Sequence, residues 1–230
     1  MSRSQATESI IAGDLVRVHM DISRSLETGI QRVSALAPGS LRDGSTRSGL
    51  MKYLRAFIST MHAHHLTEDD LMFPMFKPKL PDVPYEALSQ QHREMVSLLD
   101  QMKADLPGIR QMSDPQASVD GLKAWMMKMR DLWIPHKATE EAHFTPEGIN
   151  ALFSTREQRR ATRRFMVHGG WHSRPVSLSL PLFVYSLTPE ERVAAEKSML
   201  PPFVTGLLVP VLWRWNWNSM TPFLTYPPEA

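Results

Sequence analysis

Apolar residues recur every three or four positions in four stretches of this 230-residue chain. This spacing predicts four amphipathic α-helices, each with one apolar stripe. The stripes run from Ile11 to Val33, from Leu50 to Leu71, from Leu88 to Leu106 and from Leu122 to Glu140.

Turn-forming residues interrupt the pattern after each stripe. The interruptions are Ala37-Pro38-Gly39 with Asp43-Gly44, then Pro74, Pro107-Gly108 and Pro146. Helices joined by short connections pack antiparallel as neighbours. We therefore predict an all-α fold with an up-down-up-down four-helix bundle over residues 1–146. Residues 147–230 are expected to form a helical and apolar C-terminal extension that packs on the bundle or caps it.

Six ionisable residues occupy stripe positions where an apolar core residue is expected. They are His19, His64, Glu68, His92, His136 and Glu140. Burying such groups without partners costs roughly several kcal/mol each. One polar layer inside an otherwise apolar bundle is typical of a metal site built by facing helices.

Two of the helices carry the same motif. His64 lies four residues before Glu68, His136 lies four residues before Glu140, and each histidine precedes a proline by ten residues. On a helix, positions i and i+4 lie on one face, so each motif presents an imidazole beside a carboxylate. Two inward-facing carboxylates could bridge two cations, with imidazoles in the remaining ligand positions.

The repeat extends to the other two helices. His19 and His92 are 73 positions apart, and His64 and His136 are 72 positions apart. The bundle is therefore interpreted as two similar helical hairpins. The same register separates His64 from its neighbour His65, which falls one position off the stripe. We predict that His65 is not needed for metal binding.

The composition restricts the chemistry of such a site. The chain has no cysteine, which excludes disulfides, thiolate ligands and cysteine nucleophiles. Ligation by imidazole and carboxylate suits iron or manganese, with zinc less favoured. Iron is preferred because only a redox metal gives this site an evident task. The net charge of +2 gives no indication of nucleic-acid binding.

The N-terminal sequence MSRSQATESII lacks the apolar core of a secretory signal. No apolar run reaches the roughly 18 residues of a membrane-spanning helix. A cytoplasmic location is therefore expected, with no transmembrane helix.

The ordered ligand series, with Phe73-Pro74 after the first motif and Pro146 after the second, resembles the hemerythrin, or HHE cation-binding, family over about residues 8–146. The resemblance implies a non-haem di-iron centre. Its bridging carboxylates would be Glu68 and Glu140, and its terminal ligands His19, His64, His92 and His136. Oxygen carriers of this family have another histidine four residues after the third-helix ligand, where this chain has Val96. A more open centre favours chemistry on O2, peroxide or NO over reversible oxygen carriage.

The hypothesis from sequence is a di-iron protein that binds and activates O2, peroxide or NO, as an oxidoreductase would, with an organic substrate as a further candidate partner. A non-catalytic sensor or carrier, and an iron storage or donation module, remain alternatives. Three more histidines are candidates for an extra ligand or a supporting hydrogen bond: His143, His168 and His172. A surface turn is expected at His168-Gly-Gly-Trp171-His172.

The extension contains three further features. Five arginines between Arg156 and Arg164 predict a solvated helix face, with phosphate or anionic lipid as the alternative contact. Thr188-Pro189-Glu190-Glu191 predicts a helix start. The apolar segment from Phe203 to Trp217 is expected to pack on the bundle and close one groove. An interfacial membrane contact or a dimer contact is its alternative. A lid over the metal pocket would favour a substrate-handling enzyme.

Overall fold

A computed structural model describes residues 9–37, 39–111 and 115–228, which fold into helices and turns without a strand. The α-helices are α1 (Ile10–Ser34), α2 (Gly44–Thr67), α3 (Phe73–Phe76), α4 (Tyr85–Gln111), α5 (Pro115–His143), α6 (Pro146–Leu152), α7 (Thr155–His172), α8 (Val176–Ser186), α9 (Pro189–Ser198) and α10 (Arg214–Trp217). Two π-helical segments (Glu68–Met72 and Val204–Leu212) and two 3-10 segments (Ser40–Arg42 and Asn218–Phe223) complete the set. The described ranges leave out residues 1–8, on which the prediction of no secretory signal partly rests, and Pro38 of the first predicted helix break.

The predicted up-down-up-down bundle is confirmed, and consists of α1, α2, α4 and α5. Helix α1 packs against α2 and α5, and α4 packs against the same two helices. Each helix contributes fully buried side chains to a common core, among them Leu26, Phe57, Met95 and Met126. Burying one such side chain stabilises the fold by about 1.5–3 kcal/mol.

Helix α4 does not end where its sequence suggests. The prediction of a stop at Pro107-Gly108 is wrong, because α4 continues through Pro107 to Gln111. Proline inside a helix removes one hydrogen bond and costs about 3 kcal/mol. Leu106 and Ile109 on either side are buried against the core, and this burial offsets the cost.

A π-helical turn joins α2 to α3. Helix α2 begins after Asp43, whose side chain accepts a hydrogen bond from the backbone of Thr46 over 2.7 Å. After Thr67 the helix widens into the π segment and continues as α3, which ends at Phe76, two residues after Pro74. Such single π turns inside helices occur frequently at functional sites, and this one begins at Glu68.

The C-terminal helices pack along one side of the bundle. Helices α7 and α8 contact both α1 and α2, and the 3-10 segment Asn218–Phe223 lies on α2. That close contact requires glycine at position 49, since a Cβ there would lie 2.0 Å from the backbone oxygen of Ser219. Buried Leu182 and Trp217 belong to the same hydrophobic core as the bundle helices.

Two sequence predictions about the extension are confirmed and one is wrong. The arginines of α7 form an exposed face. Helix α9 starts at Pro189 behind a capping box formed by Thr188 and Glu191. The stretch from His168 to His172, however, is not a surface turn, because it forms the last part of α7.

The apolar segment that ends at Trp217 packs on the molecule through one face only. Val209 and Trp217 are buried, and the Trp217 indole donates a hydrogen bond to the Val209 carbonyl over 2.8 Å. Phe203 and Trp215 are exposed, Trp215 to 80%. Among the described residues, no helix combines the length and the apolar content needed to cross a membrane.

Candidate metal centre

The four bundle helices and the π segment that follows α2 bring the six predicted ligands together in the interior. All six side chains are buried, and their ligand atoms fall into two groups, each within 4.8 Å. The first group contains His19, His64, Glu68 and Glu140. The second contains Glu68, His92, His136 and Glu140. The two groups share both carboxylates, so each glutamate lies between two sets of imidazoles.

The interatomic distances define the centre. His64 Nε2 lies 3.3 Å from Glu68 Oε2, and His136 Nε2 lies 3.3 Å from Glu140 Oε2, as expected for i and i+4 positions. His19 Nε2 lies 3.2 Å from Glu140 Oε2 and 4.0 Å from Glu68 Oε1, so α1 faces both carboxylates.

Three of the histidines are oriented by acceptors on their outer side. His19 Nδ1 donates to Glu141 Oε1 over 2.9 Å. His92 Nδ1 donates to Asp69 Oδ2 over 3.0 Å, and the third bond, also 3.0 Å, runs from His136 Nδ1 to Gln91 Oε1. In a neutral ring the acceptor holds the proton on Nδ1, and the Nε2 lone pair then faces the centre. Burial would lower the pKa of His19 and of His92, but the nearby carboxylates outweigh it and raise these values to about 9 and about 10, so a metal would displace a proton from these rings. Acceptors of this kind typically orient metal-binding histidines.

The inward-facing atoms fit a cation better than they fit each other. His92 Nε2 and His136 Nε2 approach to 3.2 Å, and if both rings are neutral with the proton on Nδ1, two lone pairs face each other. Within the described ranges, both oxygens of Glu68 and of Glu140 and Nε2 of His19 are buried without a hydrogen-bond partner. Leaving such atoms unsatisfied is costly. A metal ion, or failing that a proton, resolves both conflicts.

The electrostatics of the carboxylates agree with this interpretation. Burial, and then the negative charge of Glu140, raise the pKa of Glu68 to about 7. Burial would also raise the pKa of Glu140, but the imidazoles of His136 and His19, whose Nε2 atoms lie 3.3 and 3.2 Å from Oε2, outweigh it and lower that pKa. Burial lowers the pKa of His64 well below its ordinary value, so this ring is neutral and able to ligate.

Aromatic rings enclose the centre. The Trp133 ring meets His19 and His64 edge-on, with centroids 5.3 and 5.6 Å away. Its indole donates to Ser23 Oγ over 2.9 Å, so the ring has one fixed orientation. Phe73 stacks on His92, with ring centroids 5.5 Å apart. The phenylalanine of the Phe73-Pro74 signature is therefore a wall of the site.

His65 falls one position off the stripe in the sequence, but its side chain is buried, and its ring stacks on His92 with centroids 4.4 Å apart. A ligand atom of His65 lies within 4.8 Å of those of His92 and His136. Neither ring nitrogen has a hydrogen-bond partner among the described residues, and burial lowers its pKa well below the ordinary value.

The other three candidate histidines contribute no atom to the groups formed by the described residues. His143 is exposed and donates through Nδ1 to the Thr139 carbonyl over 2.8 Å. His168 Nδ1 lies 3.1 Å from Thr67 Oγ1, and its Nε2 lies 3.3 Å from Asp70. The His172 ring packs beside His168, with centroids 4.5 Å apart. His168 thus links α7 to the end of α2 and to the π segment that begins at Glu68.

Sequence reasoning also left the supporting residues unassigned. Asp69 and Glu141 each follow a candidate bridging glutamate directly, which is a signal visible in the sequence. Gln91 precedes His92 and faces a histidine on another helix, for which no local pattern exists.

Comparison with known proteins agrees with the site. Residues 14–147 match the model of the hemerythrin HHE cation-binding domain. The matched range contains all six predicted ligands together with Asp69, Gln91 and Glu141. Neither the curated proteins nor the solved structures gave a match.

Proposed function

The chain belongs to the hemerythrin HHE cation-binding domain family, and from that premise we propose that it holds two iron ions and uses them to bind and activate a small oxidant. The single observation that carries the proposal is the pair of overlapping ligand groups that share Glu68 and Glu140. A carboxylate common to two ligand sets is what a bridged metal pair requires.

The ligand set supports iron. The chain offers nitrogen and oxygen donors and no thiolate, a combination that suits iron or manganese. Structural zinc takes four ligands in a closed tetrahedron. Six buried ligand side chains, two of them shared, fit that arrangement poorly.

The protein would contribute orientation, neutral donors and exclusion of water. Glu141, Asp69 and Gln91 fix three imidazoles with Nε2 inward, and Trp133 and Phe73 keep the surroundings apolar. A pair of iron ions bound there would supply redox electrons and open coordination positions for O2, peroxide or NO. Val96, where oxygen carriers have a histidine, leaves room for such a molecule.

The test is metal analysis followed by rapid mixing. Protein from iron-replete cells should contain about two iron ions per chain, as a two-metal site requires. Protein loaded anaerobically with Fe(II) should then change its absorbance on mixing with O2, peroxide or NO. Turnover supports an enzyme, whereas a stable reversible adduct would indicate a carrier or sensor. Zinc alone, or rapid loss of iron to a chelator, would contradict the proposal.

A further inference from the structure

The C-terminal helices and the bundle border a cavity of about 200 Å³ that is partly open to solvent and lies next to the candidate metal centre. Its floor is formed by α1 and α2, and its roof by α7, α8 and the residues that follow α9. His64 and Glu68, two of the candidate metal ligands, line one end. A molecule in this cavity would therefore lie directly beside the centre.

Most of the cavity wall is apolar. Leu15 and Val18 from α1 face Phe165 and Met166 from α7, and Leu180 from α8 completes this part of the wall. Gly169 also lines the cavity, so α7 presents backbone here instead of a side chain. Cavities of about 150 Å³ with aliphatic and aromatic walls hold a benzene ring. The apolar part of a ligand can thus be about that size.

Two buried acids add polar atoms to this apolar wall. Asp14 and Asp21 both line the cavity and are 6% and 0% exposed. One oxygen of each is already engaged, since Asp14 Oδ1 accepts from Ser198 and from Arg17, each over 2.7 Å, and Asp21 Oδ1 accepts from Ser25 over 3.2 Å. In the part of the chain that is described, the Oδ2 atom of each acid is buried and has no hydrogen-bond partner. Burial raises the pKa of both acids, that of Asp21 to about 7, so an Oδ2 atom can donate or accept according to its protonation.

We propose that this cavity binds a small uncharged organic molecule with an apolar ring or chain and a hydroxyl group, such as a substituted phenol or a benzyl alcohol. The hydroxyl, which can donate as well as accept, would form a hydrogen bond with an aspartate Oδ2 atom, while the apolar part fills the space between α1 and α7. Such a molecule would be the organic substrate in the proposed function. Only the presence of a metal beside the cavity rests on that function.

The same walls disfavour other ligand classes. A carboxylate would lose its hydration beside Asp14, Asp21 and Glu68, and the described residues that line the cavity include no lysine or arginine to offset this cost. A pure hydrocarbon of the same size would fill the space but leave the Oδ2 atoms without a hydrogen-bond partner, which is costly for buried polar atoms. Selection should therefore follow the hydroxyl group as well as the size.

Calorimetry with three probes that share one apolar body tests this selectivity. We expect para-ethylphenol to bind, ethylbenzene to bind about tenfold more weakly or worse, and para-ethylbenzoate not to bind. Equal affinity for ethylbenzene would overturn the requirement for a hydroxyl group, and preference for the benzoate, or no binding of the phenol, would overturn the proposal.

Two neighbouring residues of α7 provide a matched pair of variants. Met166→Trp fills the cavity, whereas Val167→Trp places the same side chain at a position that is 68% exposed. We expect the first to abolish para-ethylphenol binding and the second to leave it within about twofold, with unchanged metal content in both. Binding by Met166→Trp at the wild-type level would place the ligand elsewhere. If this variant does not fold, the probe series on the wild-type protein still decides the question.

Fluorine NMR tests whether the ligand lies beside the metal. The signal of para-fluorobenzyl alcohol should broaden strongly with Mn(II)-loaded protein and little with Zn(II)-loaded protein. Metal content is measured on the same samples. Probe binding without bound metal would defeat the proposed function and leave the cavity assignment intact. Bound metal with no probe binding, or no difference between the two metals, would defeat this inference alone.

Discussion

His92 Nδ1 donates to Asp69 Oδ2 over 3.0 Å, and the two residues belong to different halves of the internal repeat. The bond between His19 and Glu141, at 2.9 Å, is its counterpart in the other direction. In each half, the acid that follows the candidate bridging glutamate orients a histidine of the other half. The two hairpins are therefore joined by their supporting hydrogen bonds as well as by shared candidate ligands.

Asp69→Ala should weaken metal binding without removing any of the six candidate ligands. Loss of such a supporting acceptor typically costs about 10–100-fold in metal affinity, since the His92 ring is then free to turn. The measurement is competition with a coloured chelator. Asp70→Ala is the matched control, because Asp70 is the next residue in the chain but its carboxylate contacts His168 and not His92. Equal affinities for the two variants would show that the Asp69 contact does not orient a ligand.

Much of the centre could be predicted because its ligands follow helical spacing. The i and i+4 pairs place His64 of α2 beside Glu68 at the start of the π segment, and His136 beside Glu140 within α5, and this is local information. The buried position of His65 could not be predicted from one stripe, because α2 packs against α1, α4 and the C-terminal helices together. A helix surrounded on several sides has more than one interior face.

The cavity lies beyond sequence reasoning for a related reason. The apolar stretches of the extension indicate burial, but they do not identify the surface that they cover. Only the packing of α7 and α8 on α1 and α2 brings Met166 and Leu180 opposite Val18. The exposed apolar face around Trp215 shows that apolar character alone does not predict burial.

His65→Leu should lower metal affinity, contrary to the expectation from sequence. His65 has a neutral ring within ligand range of His92 and His136. A loss of about tenfold is expected, smaller than the loss of both ions expected for Glu68→Ala, which removes a shared carboxylate. The metal content of each variant after dialysis against a chelator measures these two losses.

The stability of the metal-free His65→Leu protein separates the alternatives. If His65 only packs, leucine removes two buried unsatisfied nitrogens and the free energy of unfolding rises without loss of metal. His62→Leu on the same helix is the control, since His62 is partly exposed and lies 3.5 Å from Asp100. Unchanged affinity in His65→Leu would remove His65 from the metal centre.

Gly49→Ala should detach the C-terminal segment from α2. The new Cβ would lie 2.0 Å from the Ser219 carbonyl oxygen, so backbone must move. We expect a loss of about 1–3 kcal/mol in the free energy of unfolding and faster proteolysis near Ser219. Gly121→Ala in α5 is the control, because its Cβ meets nothing within 4 Å and alanine favours a helix. A Gly49→Ala protein as stable as wild type would contradict the close packing.

The ion pair between Arg24 and Glu191 should make the docking of α9 on α1 depend on pH. The guanidinium donates to both carboxylate oxygens, at 2.5 and 3.0 Å, and lowers the pKa of Glu191. A lowered carboxyl pKa stabilises the fold at pH values above the unfolded pKa of about 4.3, and this contribution is lost as the pH falls through the folded pKa.

Because the pair is about a quarter exposed, Glu191→Gln should cost only about 1 kcal/mol in the free energy of unfolding at pH 7 and almost nothing at pH 2. Urea unfolding at both pH values measures this difference, with exposed Glu190→Gln as the control. A Glu191→Gln cost that is the same at both pH values would mean that the carboxylate charge does not hold α9 in place.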